Sequence, residues 1–112
     1  MKKLTLSLIM FSILVSVAIT TKAEIMIFGS RSCGVWIDDR KKDGWPDISD
    51  GNWLAGYLSG LASYSDKDFL KNTDVASVKN WVDNYCKNNP LDSVMDAANK
   101  LATELIKREH LK

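Results

Sequence analysis

Histidine is nearly missing from this chain: His110 is the only one among 112 residues. It falls at the end of the last helical pattern, beside Lys107 and Arg108, so a Ser-His or Cys-His pair has no base held inside the fold. Cysteine is scarce as well. Cys33 and Cys86 are too few for the roughly four ligands of a zinc site, and they lack the C-x-x-C spacing of thiol–disulfide exchange. No basic stripe exists either: 15 Lys and Arg stand against 14 Asp and Glu. Nucleic acid and anionic membranes therefore find little electrostatic hold. Proline occurs only twice, and both Pro46 and Pro90 mark boundaries. No stretch alternates with period two for long, which argues against sheet.

The one long apolar run lies at the start. Lys2 and Lys3 precede it, it covers residues 4–19, and Thr21-Lys22-Ala23 places small residues at −3 and −1 of a signal-peptidase site. At about sixteen residues it is short of the roughly twenty that a spanning helix needs. Residues 1–23 thus read as a cleavable export signal and residues 24–112 as one domain, periplasmic or secreted and not membrane-bound once cleaved. Loss of Lys2, Lys3 and Lys22 turns the formal charge of +1 slightly negative. A domain this small buries only about 60–65% of its unfolded surface, so its core leaves a thin margin. In an oxidising compartment, two remaining cysteines argue for a Cys33–Cys86 disulfide. Closing a loop of about fifty residues contributes roughly 4 kcal/mol by the chain-entropy estimate.

The mature part predicts an all-α bundle of about four helices. Cys33, Trp36, Ile37 and Arg40 recur at helical spacing after Ser32. Asp43-Gly44-Trp45-Pro46-Asp47 reads as a loop, followed by a helix capped near Ser49 or Asp50 that carries Trp53, Leu54, Tyr57, Leu58 and Leu61. Gly56 and Gly60 cost about 1 kcal/mol each in a helix interior, which suggests close approach of another element. Residues 63–73 read as a polar loop with Phe69 and Leu70 as an anchor. Asp74 caps a third helix with Val75, Val78, Trp81, Val82, Tyr85 and Cys86 on one side. Asn89-Pro90 is a boundary, after which Leu91, Val94, Met95, Ala98, Leu101, Leu105 and Ile106 mark the last helix. Its cationic end suits the helix dipole.

Acids and aromatics are the remaining chemistry. Asp38, Asp39, Asp43, Asp47 and Asp50 lie close in sequence, yet no register matches a calcium-binding EF-hand loop: starting at Asp47 puts Leu58 where the glutamate belongs. Adjacent Asp38 and Asp39 diverge by about 100° on a helix. The cluster reads as solvated and capping, with no metal and no cofactor expected. Trp36, Trp53, Tyr57, Trp81 and Tyr85 fall on apolar helical faces and read as core. Trp45 differs, being a loop tryptophan among charges and so a candidate contact anchor, with Asp43, Asp47 and Asp50 around it.

Three segments together resemble the Rap/Tai family of small exported helical proteins: Ser32-Cys33-Gly34-Val35-Trp36-Ile37-Asp38-Asp39-Arg40, then Trp53-Leu54-Ala55-Gly56-Tyr57-Leu58-Ser59-Gly60, then Trp81-Val82-Asp83-Asn84-Tyr85-Cys86-Lys87-Asn88-Asn89-Pro90. The resemblance implies a disulfide-linked periplasmic helical protein, often a homodimer. It would be a non-enzymatic immunity protein that blocks a peptidoglycan-cleaving amidase of a type VI secretion system. Cys33 and Cys86 match its pairing cysteines, and Gly56 and Gly60 its tight helix contact. The expected contact loop is residues 41–52 with Trp45 central, and secondly residues 63–73. A different class is an acid-stress chaperone resembling the HdeA type, also small, exported, helical and single-disulfide, in which protonation of the carboxylates opens the fold.

Overall fold

Three of the four helices among the described residues begin where a side chain takes up free N–H groups. Ser32 accepts from the Val35 amide at 3.2 Å and starts α1 (Cys33–Lys42). Asp74 accepts from the Ser77 amide at 2.8 Å and starts α3 (Val75–Asn88). Ser93 and Asp96 cap each other reciprocally at the start of α4 (Val94–Arg108). The exception is α2 (Trp45–Ser65), whose N-cap Gly44 offers no side chain. Pro46 sits in its first turn instead, where the missing N–H would have had no intrahelical partner. The computed structural model describes residues 25–111, and the export-signal reading lies outside them. Among the described residues the only strand-like pairing is an isolated bridge between Ser32 and Ser93.

The all-α expectation holds, and the boundaries move. The α1–α2 connection shrinks to Asp43, in the left-handed region at φ 46°, and Gly44. Pro46, read as a loop marker, is a helix starter, so α2 begins ahead of Ser49 and Asp50 and neither caps it. At its other end α2 runs through Ser65, so residues 63–65 are helix and the following connection starts at Asp66. The last helix starts at Val94, beyond Pro90. Leu91 consequently lies outside it and is 99% exposed.

The core takes Cys33 and Trp36 from α1, Leu54 and Leu58 from α2, Val78, Val82 and Cys86 from α3, and Val94, Ala97, Ala98, Leu101 and Leu105 from α4. Phe69 enters from the α2–α3 connection and is fully buried, the anchor expected there. Burial of a side chain of this size stabilises by roughly 1.5–3 kcal/mol. The Cys33–Cys86 disulfide, Cα–Cα 4.9 Å, ties the first turn of α1 to the end of α3. Trp36 is fully buried. Trp53, Tyr57, Trp81 and Tyr85 are only partly so, and they stack in pairs one helical turn apart at 5.0 and 5.6 Å between ring centroids.

Residues before α1 are sewn onto the rest by backbone polarity. The Val94 amide donates to Arg31 O and the Cys33 amide to Asp92 O, both at 2.8 Å. The Trp53 indole N–H donates to Phe28 O at 2.7 Å. Gly29, at φ 82°, passes so close beneath that indole that an added Cβ would stand 2.7 Å from Trp53 Cδ1. By contrast, an added Cβ at Gly56 or Gly60 would meet nothing within 4 Å. The expected tight helix contact is absent at both positions, because they lie on the outward face of α2.

Candidate functional site

The tip of the α1–α2 hairpin is held by an ion-pair cluster that joins three helices. From α1, Arg40 reaches Asp83 of α3 with Nε at 2.9 Å and Nη2 at 2.8 Å, a bidentate pair. The Trp36 indole N–H donates to the same carboxylate at 2.7 Å, which satisfies the one polar atom of a fully buried side chain. The third Arg40 donor, Nη1, reaches Asp47 of α2 at 3.2 Å. Lys79 of α3 closes the cluster with Nζ 2.8 Å from Asp47 Oδ1. Its arm lies across Gly51, where an added Cβ would stand 3.2 Å from Nζ. Here a helical glycine does answer to close approach.

Charge tuning follows the contacts. The hydrogen bond to Asp83 raises Arg40 further above its already high value. Burial would push Asp47 up, but hydrogen bonds from Lys79 and Arg40 outweigh it and hold the carboxyl below its usual range. Elsewhere, the hydrogen bond to Asp92 and then burial push Tyr85 up to about 12.

Immediately beside this cluster the surface is apolar and open. Trp45, the first residue of α2, is 75% exposed, and Ile48, three residues on and so on the same helical face, is 51% exposed. Asp43 is exposed at the turn before them. Asp47 and Asp50 are not: both are buried, Asp47 in the cluster and Asp50 against Arg31, whose Nε lies 3.2 Å from Oδ1. Of Asp43, Asp47 and Asp50, expected as solvated residues around Trp45, only Asp43 is exposed. The other two face inward, because α2 starts early enough to turn them toward α1 and α3. Asp39 is buried too, so the acidic cluster is largely an interhelical feature.

Trp45 itself is on a helix and not in a loop. Of the expected motif residues, Trp36 and Arg40 meet at Asp83, Trp53 packs over Gly29, and Trp81 and Tyr85 share a face of α3. Pro90 is an exposed turn residue. Lys79 and Asp83 were missed from sequence. Their i, i+4 spacing puts them on one face of α3, but nothing periodic links that face to Arg40. Among the described residues no group of three or more His, Cys, Asp or Glu could hold a metal ion, and no helix is long and apolar enough to cross a membrane. Compared with family models, curated proteins and solved structures, the chain finds no match.

Proposed function

We propose that this chain is an exported, non-enzymatic binding protein that blocks a peptidoglycan-cleaving amidase, the immunity role implied by its resemblance to the Rap/Tai family. The observation that carries this reading is Trp45. An indole left open to solvent forgoes a hydrophobic stabilisation of roughly 1.5–3 kcal/mol, and here it stands on the first turn of a helix, a turn that Asp47 clamps to two others. A rigid scaffold lowers the ordering cost of association, and tryptophan is enriched among residues that dominate interface energy. Ile48 widens the apolar contact and Asp43 supplies a charged rim. The disulfide belongs to oxidising compartments and so supports export.

The mechanism would be occlusion: the hairpin tip enters the cleft of the enzyme and excludes its substrate. An interface of about 800 Å² per partner is ordinary for such inhibition. Purified protein should retain and inhibit a periplasmic amidase, and Trp45→Ala should weaken that binding at least tenfold while leaving the fold intact. Failure of the wild-type protein to retain any amidase from a panel of periplasmic and secreted enzymes would remove this reading.

The acid-stress alternative draws on one feature, the dependence of the three-helix cluster on the Asp47 and Asp83 carboxylates. At strongly acidic pH, protonation of Asp47, the carboxyl held below its usual range, would release Lys79 and loosen the bundle. Protection of an aggregating client at that pH, absent at neutral pH, is its test.

A further inference from the structure

The α1–α2 interface holds a second acidic site, distinct from the ion-pair cluster. Asp39 of α1 is 8% exposed and Asp50 of α2 is 4% exposed, and the Asp39 carboxyl lies close enough to Asp50 to favour its protonated form. Arg31 occupies Asp50 Oδ1, while Oδ2 is buried and receives no hydrogen from any N–H or hydroxyl group. A carboxylate oxygen only accepts; two carboxylates can hydrogen-bond only if one of them is protonated. An orphaned buried acceptor is destabilising, more so when charged, and a proton shared between the two carboxyls would relieve it.

We propose that Asp39 and Asp50 form a proton-binding site that holds one shared proton in the folded protein and releases it as pH rises, weakening the α1–α2 junction. The charges around it are few. From the segment before α1, Arg31 faces Asp50. From α1, Lys42 approaches Asp39 at 3.8 Å but is itself mostly exposed. On α2, Asp47 is turned into the cluster with Arg40 of α1 and Lys79 of α3, where Asp83 is also engaged, and Asp96 of α4 is engaged with the cap at Ser93. Burial, and then the Asp39 contact, raise Asp50 above its ordinary value against the opposing pull of Arg31. A folded value above the unfolded one stabilises fully below the unfolded value and loses that stabilisation as pH rises through the folded one. This sign is opposite to that of Asp47, so the site works against acid opening.

The test compares urea midpoints of wild type and Asp50→Asn between pH 4 and 8. An Asn amide donates permanently where the shared proton would sit, while its oxygen still accepts from Arg31. The wild-type midpoint should fall relative to the variant's across this range and level off once the site is empty. Carboxyl titration of the wild type by NMR gives a second reading that needs no variant: one aspartate should titrate above the ordinary range. Parallel midpoint profiles, or no aspartate titrating above that range, would overturn the proposal. A wild-type midpoint raised at neutral pH by calcium or magnesium, and unmoved in Asp50→Asn, would also overturn it and make the site a cation site.

Discussion

Arg40 and Asp83, 43 positions apart in sequence, meet in a bidentate pair with Nη2–Oδ2 2.8 Å, and the same carboxylate caps the indole N–H of buried Trp36. One aspartate thus answers two donors that α1 would otherwise carry unpaired toward the core. Replacing Asp83 with Ala leaves a half-buried guanidinium and a buried N–H without their acceptor. The expected loss is about 2–3 kcal/mol, below the range for fully buried pairs because both side chains retain some solvent contact. Urea unfolding should show a lower midpoint with an unchanged slope.

The disulfide makes a second expectation. Its closure spans a sequence separation of 53, for which chain entropy contributes about 4 kcal/mol. Cys33→Ala with Cys86→Ala should cost about that much, again read by urea unfolding. Both cysteines are fully buried, so a thiol reductant should act slowly on the native protein and rapidly once denaturant opens it, followed by alkylation and mass.

Trp36 and Trp45 should behave oppositely. Trp36→Ala removes a fully buried indole and should cost about 3–5 kcal/mol. Trp45→Ala removes an exposed one and should stay within about 0.5 kcal/mol of wild type. Thermal unfolding of the two variants side by side checks the contrast, and a large loss on Trp45→Ala would place that side chain in the fold and not at a contact surface.

Two titrations follow from the geometry. Asp47 is held below the usual carboxylate range; its stabilisation is therefore present above the unfolded value and lost as pH falls through the folded one. Asp47→Asn should flatten that acid-side loss in a stability profile taken below pH 5. Tyr85 is pushed up to about 12, so its contribution is full below the unfolded phenol value and is lost as pH rises through the folded one. Ultraviolet titration should show one phenolate appearing near that pH, missing in Tyr85→Phe.

Much of the fold was legible because it rests on local rules. Period 3.6 is a property of each segment alone, and Asp74 could be read as a cap without knowing what α3 packs against. The errors share a cause. Pro46 and Leu91 were placed by punctuation, and proline means boundary or helix start with equal local logic, so the α1–α2 connection was drawn too wide and the α3–α4 connection too narrow. Gly56 and Gly60 invited a packing reading that Gly51 deserved, since spacing alone does not say which face of α2 a neighbour will cover. The candidate contact site was legible only at its exposed member, Trp45 with Asp43. Asp47 and Asp50 turn inward because of where α2 begins.

By itself the sequence determined the helical class, the number of helices among the described residues, one of the three side-chain caps and which two sulfurs could bond, since each depends on composition, on period or on a handful of adjacent residues. Only the tertiary structure decided that Asp83 serves Arg40 and Trp36 together, that Lys79 reaches Asp47 over Gly51, and that Asp39 lies against Asp50. Those relationships depend on the angle and depth at which helices dock. Docking is set by the summed shape of many side chains, which no single residue announces.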